Sequence, residues 1–123
     1  MKYILAVDDE QLNLNIIDEL LSDDYEVHTA IDGVECLKSI EKRIPDLLLL
    51  DVGMPKLNGL EVCKKLREQE KYKDLPIIFL SAFAAEEDMI AGINAGADKY
   101  ISKPFKPIEL LDIVNLMLDN EKS

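Results

Sequence analysis

Asp8, Asp9, Asp51, Ser81 and Lys103 each follow a short, largely apolar run, and between them they offer carboxylates, a hydroxyl and an ammonium. The runs are residues 3–7 before Asp8-Asp9, 47–50 before Asp51, 77–80 before Ser81 and 99–102 before Lys103. Taken singly, each residue has a plain role: Asp9 as a helix N-cap, Ser81 as a turn former, Lys103 as a solvated charge. Their shared position is what points to chemistry. Carboxylates gathered within a few ångströms repel one another and require protonation or a cation. Oxygen donors without a paired histidine or cysteine suit Mg²⁺, which keeps several waters and takes a few carboxylates plus phosphate oxygens. A lysine and a hydroxyl nearby supply the neutralising charge and the hydrogen-bond donor that a phosphoryl group needs. A carboxylate is also a competent nucleophile for such a group, giving an aspartyl phosphate.

The elements that must position these residues follow from two alternating periodicities. Residues 3–7, 47–50 and 77–80 are continuous apolar runs, which suit strands buried on both faces of a parallel sheet. Residues 25–30 and 99–102 are mixed in polarity and predict edge strands. Helical stripes separate them: Leu12, Ile16, Ile17, Leu20 and Leu21; Val34, Leu37 and Ile40; Leu60, Cys63 and Leu66; Met89, Ile90 and Ile93; Leu110, Val114, Met117 and Leu118. Pro45, Pro76 and Pro107 fall at segment edges, and Gly33, Gly59 and Gly96 mark turns or caps. Five strand–helix pairs in strict alternation predict an α/β fold, a single doubly wound parallel sheet with helices on both faces. In such sheets ligands bind outside the carboxyl ends of the strands, which is where all the candidate residues fall.

The chain has 123 residues, enough for one domain and too few for two, so residues 1–123 are expected to form it, with a polar tail from about 119. Hydrophobic residues make up 48% and charged residues 32%, the balance of a soluble globule. Only five apolar residues follow Lys2 before Asp8, Asp9 and Glu10, too few for a signal peptide or a spanning helix, so a cytoplasmic location is expected. A formal charge of −11 repels phosphate backbones and argues against direct binding of nucleic acid. Cys36 and Cys63 match no metal or redox spacing and read as reduced core thiols.

Along almost its whole length the sequence resembles the receiver domains of two-component signalling systems. The motifs are Val-Asp-Asp-Glu at 7–10, Leu-Asp-Val-Gly-Met-Pro at 50–55, Asn-Gly at 58–59, Leu-Ser-Ala at 80–82, Ala-Gly-Ala at 95–97 and Lys-Pro-Phe at 103–105. The resemblance implies a flavodoxin-like sheet of order 2-1-3-4-5. It further implies that Asp51 is the phosphoacceptor. Asp8, Asp9, Asp51 and the backbone carbonyl of Gly53 would hold Mg²⁺, with Mn²⁺ as a possible substitute. Lys103 would pair with the phosphoryl group, or with Asp51 before transfer, and the Lys103–Pro104 bond would be cis. Ser81 would move to meet the phosphoryl group and Tyr100 would rotate into the space vacated, changing an output face made of the fourth helix, fifth strand and fifth helix. Gly53 and Phe83 stand where side chains in the family influence dephosphorylation. Glycine there would open the approach of water and phenylalanine would shield it, so the two are expected to act in opposite directions.

The implied partners are a sensor histidine kinase or a histidine phosphotransfer protein on the input side. On the output side stands a downstream effector or a C-terminal output domain, with a phosphorylation-dependent homodimer as a further possibility. The domain is expected to be a phosphoacceptor that assists its own phosphorylation and dephosphorylation, not an enzyme. Three rivals remain. An aspartate-nucleophile phosphatase of the haloacid-dehalogenase type needs a second acid two residues after its nucleophile, where this chain has Gly53. A flavodoxin needs a Ser/Thr/Gly-rich phosphate loop where this chain has Asp8-Asp9-Glu10. A phosphorylation-independent receiver-like binding module would not need all five polar side chains.

Overall fold

Continuous apolar runs serve two layers at once when each successive side chain points to the opposite face of a sheet. The computed structural model, which describes residues 1–119, has this arrangement. In chain order the elements are β1 (Tyr3–Val7), α1 (Gln11–Leu21), β2 (Glu26–Ala30), α2 (Gly33–Lys42), β3 (Leu47–Leu50), α3 (Gly59–Arg67), a 3₁₀ turn (Glu70–Tyr72), β4 (Ile77–Ser81), α4 (Glu86–Ala95), β5 (Lys99–Ser102) and α5 (Pro107–Asp119). All strand pairs are parallel and the order is β2-β1-β3-β4-β5. The central strands β1, β3 and β4 are buried at every residue, while the mixed-polarity β2 and β5 lie at the edges. Of the tail expected from about 119, Asp119 closes α5 and residues 120–123 lie outside the described residues.

The two faces bury separate cores. Leu5, Val7, Leu48, Leu50, Ile77 and Phe79 pack with Cys36, Ile40, Val62, Cys63, Leu66 and Ala95 from α2, α3 and α4. Ile4, Ala6, Leu47, Leu49, Ile78 and Leu80 pack with Leu14, Ile17, Leu21, Leu110, Val114 and Leu118 from α1 and α5. Burial pushes the Cys36 thiol up to about 12 and the Cys63 thiol up to about 11, as suits inert core cysteines.

Three helical faces differ from the apolar stripes. In α1 the buried residues are Leu14, Ile17 and Leu21, whereas Leu12 is 70% exposed and Ile16 is exposed as well. In α2 they are Gly33, Cys36 and Ile40, with Val34 exposed. In α4 only Gly92 and Ala95 are buried, and Ile90 and Ile93 face outward. In α2 and α4 small buried residues let the helix approach the sheet closely, and a stripe of large apolar residues does not register them. A Cβ on Gly92 would come within 2.7 Å of the Tyr100 ring.

Sequence-local devices fix the ends of the elements. Asn58 and Glu61 form a reciprocal capping box at the start of α3, and Asp32 accepts from the Glu35 N–H at the start of α2. Asp46 and Asp98 play matching parts at the entry edge of the sheet. Each precedes one strand and accepts from the first N–H of its neighbour, Tyr3 at 2.7 Å and Ile77 at 2.8 Å. Gly96 ends α4 with φ of 115°, a left-handed cap where glycine is favoured. Arg67 lies across that cap and donates to the carbonyls of Gly96 (2.9 Å) and Tyr72 (2.8 Å). Removing it leaves both acceptors without their charged donor. Arg67→Ala is therefore expected to cost about 2–3 kcal/mol, read as a lower urea midpoint with an unchanged m-value.

Candidate functional site

Ser81 is the last residue of β4, and the other site residues extend the sheet's ladder just past the strand ends. The Asp8 N–H donates to Ala30 and the Asp51 N–H to Val7, so the pairing of β1 with its neighbours runs one residue past the strand ends. On the other side the Lys103 N–H donates to the Ser81 carbonyl at 2.8 Å. Backbone hydrogen bonds thus hold Asp8, Asp51, Ser81 and Lys103 at one edge, with little freedom left to their Cα positions.

The side chains converge. Asp8, Asp9 and Asp51 each offer a carboxylate oxygen, and the three atoms lie within 4.8 Å of one another. Asp8 is 2% exposed and Asp51 7%, while Asp9 is open to solvent. Oδ1 of Asp8 accepts from the Glu10 N–H at 2.9 Å, and Oδ2 accepts from Asn13 at 3.3 Å and from Lys103 Nζ at 2.6 Å. Lys103 Nζ stands 3.6 Å from Asp51 Oδ2, so the ammonium bridges two carboxylates and is closer to Asp8 than to Asp51. Oδ1 of Asp51 accepts from the Gly53 N–H at 3.3 Å. The Lys103–Pro104 bond, which turns the chain out of β5, is cis.

Electrostatics matches this crowding. Burial pushes the Asp51 carboxyl above its ordinary range; Lys103 pulls it down, Asp8 pushes it up, and the balance stays upward. Burial works against the Lys103 ammonium, but its bond to Asp8 and the charge of Asp51 outweigh that and raise its pKa. An all-oxygen cluster with surplus negative charge and one solvent-facing member suits a hard divalent cation that keeps part of its water shell. The donor set holds no nitrogen or sulfur ligand to favour a softer metal.

Ser81 is fully buried, and its Oγ accepts from the Phe83 N–H at 3.0 Å. The half-buried Tyr100 donates its hydroxyl to the Phe83 carbonyl, and its ring lies 5.9 Å from that of Phe79. Tyr100 is therefore tied to the loop after β4 through its hydroxyl. Gly53 and Phe83, expected to act in opposite directions, are in contact: a Cβ on Gly53 would sit 2.7 Å from Phe83 Cε2.

Two contributors escaped the sequence reading. Asn13 resembles any polar residue on an exposed helical turn, and nothing in its spacing shows that it reaches Asp8. Gly59 reads as a turn former, yet its reason is close approach, because a Cβ there would stand 2.2 Å from the Asp51 carbonyl oxygen. Backbone on both sides leaves no easy relief. Gly59→Ala is expected to cost about 2–4 kcal/mol, seen as a lower midpoint in thermal melts.

Comparison with known proteins gives a consistent picture. Residues 4–115 match the family described as Response regulator receiver domain. The chain is 46% identical over 110 residues to the alkaline phosphatase synthesis transcriptional regulatory protein PhoP of Bacillus subtilis, covering 89% of this chain and 45% of that protein. It is 44% identical over 120 residues to response regulator MprA of Mycobacterium leprae, covering 97% of this chain and 52% of that one. Among solved structures, chemotaxis protein CheY4 of Vibrio cholerae is similar with a TM-score of 0.89 at 37% identity, covering 96% of this chain and 99% of that one. The chain spans about half the length of the two curated relatives. Among the described residues, no helix is long and apolar enough to cross a membrane.

Proposed function

The chain belongs to the response regulator receiver domain family, and on that premise we propose that Asp51 is its phosphoacceptor in a Mg²⁺-dependent reaction. The observation that carries this reading is the convergence of Asp8, Asp9 and Asp51 with the bridging Lys103 at one sheet edge. An Asp51 carboxylate oxygen attacks the phosphorus of a phosphohistidine on a sensor kinase or phosphotransfer protein. The new P–O bond forms as the P–N bond breaks, and the imidazole nitrogen leaves with the electron pair. Asp8, Asp9, Asp51 and the Gly53 carbonyl would hold Mg²⁺, or Mn²⁺ in its place. When bound, the ion offsets negative charge on the transferring group and its acceptor. Lys103 supplies the second positive charge, moving from its carboxylate partners to the phosphoryl oxygens. The domain is then a signalling phosphoacceptor and not a catalyst that turns over a separate substrate.

The switch begins at Ser81. Its hydroxyl now serves the Phe83 N–H and would turn to the phosphoryl group, whose added charge of about −1.5 to −2 draws donors inward. Phe83 is joined to Tyr100 through its carbonyl, so a change at Ser81 reaches β5 and the flank of α4. The output face is α4, β5 and α5, on which Ile90 and Ile93 already present apolar surface. Its reader is a downstream effector, an output domain C-terminal to this one, or a second copy. With a net charge of −11 the domain itself does not bind nucleic acid, and we place it in the cytoplasm with its kinase partner.

Incubation with acetyl phosphate and MgCl₂ is expected to add one phosphoryl group by intact mass, and EDTA should prevent it. Absence of any adduct under conditions that trap short-lived species would overturn the reading.

A further inference from the structure

We propose that Asn13 is a positioning residue for phosphoryl transfer, holding Asp8 Oδ2 so that Lys103 can leave that oxygen for the phosphoryl group. The inference rests on the phosphoacceptor reading of Asp51. Asp8 is the most deeply buried of the three clustered carboxylates, and an oxygen there without a donor is costly. Oδ1 is served by the adjacent main chain, the Glu10 N–H at 2.9 Å. Oδ2 is served by two side chains far apart in sequence, Lys103 Nζ at 2.6 Å and Asn13 Nδ2 at 3.3 Å. Of these donors, the lysine is built to travel. Its flexible four-carbon stem already places Nζ 3.6 Å from Asp51 Oδ2. Asn13 is short and fixed in the first turn of α1, its own N–H bonded to the Glu10 carbonyl at 3.1 Å. The second proton on Nδ2 goes to Glu10 Oε1 at 3.3 Å, which holds the amide from its other side.

Helix formation does not explain this asparagine. It is the third residue of α1, where a side chain commonly reaches back to the N–H of the residue before the helix. That N–H, of Glu10, is given to Asp8 instead, and asparagine is a weaker helix former than leucine or alanine. Both donors of the amide go to carboxylates, one of them in the cluster. When the ammonium turns from Asp8 to the phosphoryl oxygens, Oδ2 loses its charged donor. With Asn13 in place the oxygen keeps a hydrogen bond throughout. Without it the ammonium must abandon a buried, bare carboxylate oxygen, and the barrier to transfer rises. Asn13 takes no part in making or breaking bonds at phosphorus; it acts through Asp8 and Lys103.

The test measures phosphoryl uptake from acetyl phosphate by intact mass, at saturating MgCl₂ so that metal affinity does not enter. Asn13→Leu removes the donor, fills a similar volume against water and favours the helix. It is expected to slow uptake about tenfold, a barrier change of about 1.4 kcal/mol. Asn15→Leu is the control: Asn15 is exposed on the same helix, bonded only to Gln11 at 2.9 Å, and its loss should leave the rate unchanged. In a Lys103→Ala background Asn13→Leu should cost little further, because no ammonium is left to be released. A cycle that closes in this way marks the shared oxygen. An unchanged rate in Asn13→Leu, or an equal loss in both backgrounds, would overturn the proposal. A readout without phosphorylation keeps the two readings apart. By NMR the Asn13 side-chain amide protons should move downfield in Lys103→Ala, as the amide becomes the side-chain donor left on Oδ2. If they stay in place the proposal fails whatever the chemistry, and this holds even where the double variant does not fold. If they move but the parent takes up no phosphoryl group, the phosphoacceptor reading fails, and the role of Asn13 in transfer with it.

Discussion

An Asp51→Asn chain is expected to take up no phosphoryl group and yet to unfold at a higher temperature than the parent in metal-free buffer. The loss follows from chemistry, because the amide has no carboxylate oxygen to attack phosphorus. The gain follows from burial. Asp51 is 7% exposed beside the buried Asp8, and Lys103 only partly offsets the crowding because it lies closer to Asp8. The Asp51 pKa is raised by burial, with Lys103 opposing and Asp8 adding to the shift, so the ionised form is the disfavoured one in the fold. That cost is fully present above the raised pKa and vanishes below about pH 3.8, the carboxyl's ordinary value, where folded and unfolded chains are both protonated. Asparagine keeps the shape and removes the charge, a stabilisation of about 1–2 kcal/mol near neutral pH. Paired thermal melts over a pH series measure it: the advantage should shrink on acidification. An advantage that grew on acidification, or a less stable variant at pH 7, would contradict this account of the site. Mg²⁺ should stabilise the parent more than the variant, since one carboxylate of the cluster is gone.

Lys103→Ala should separate metal binding from phosphoryl transfer. The ammonium occupies the charge-balancing position between Asp8 and Asp51, at 2.6 and 3.6 Å. Without it the carboxylates repel unchecked, and Asp8, at 2% exposure, keeps only its neutral donors Glu10 N–H and Asn13. In metal-free buffer the variant is expected to lose about 3 kcal/mol, the scale for breaking a buried pair. Added MgCl₂ should recover more of this than it gives the parent, because no resident cation competes for the same oxygens. Phosphoryl uptake should nevertheless fall about 10²–10³-fold at saturating Mg²⁺, since the second positive charge on the transferring group is missing. Titration of the melting temperature with MgCl₂, alongside the rate of adduct formation by mass, reads both arms. Weaker Mg²⁺ binding combined with an unchanged rate would mean that Lys103 is a structural counter-ion and nothing more.

Much of this site was legible in the linear chain because its logic is local. The runs 3–7, 47–50 and 77–80 are apolar at every position, and in a parallel sheet that pattern predicts burial on both faces. Once strands are placed, their carboxyl ends are known, and Asp8, Asp51, Ser81 and Lys103 fall at them without reference to any contact. The mixed polarity of residues 99–102 likewise marks β5 as an edge before its neighbour is known. Strand order is another matter. Nothing in the spacing places β1 between β2 and β3, and only the resemblance to a family supplied that arrangement.

Tertiary structure decided what depends on two distant partners at once. Lys103 and Asp8 are 95 residues apart, and whether the ammonium lies nearer Asp8 or Asp51 depends on the offset of neighbouring strand ends. The buried face of α4 is set by the small residues Gly92 and Ala95, with Gly92 against Tyr100 and Phe79, a fit of volumes that a stripe of large apolar residues cannot report. Gly59 is required by the Asp51 carbonyl against it, and the Phe83 ring finds its place through an absence, the missing side chain of Gly53. Periodicity is written by neighbours along one element, so the sequence alone determined the elements and the edge at which chemistry gathers. Contacts are written by the shapes of both partners and the register between them, so only the assembled fold decided which charge faces which.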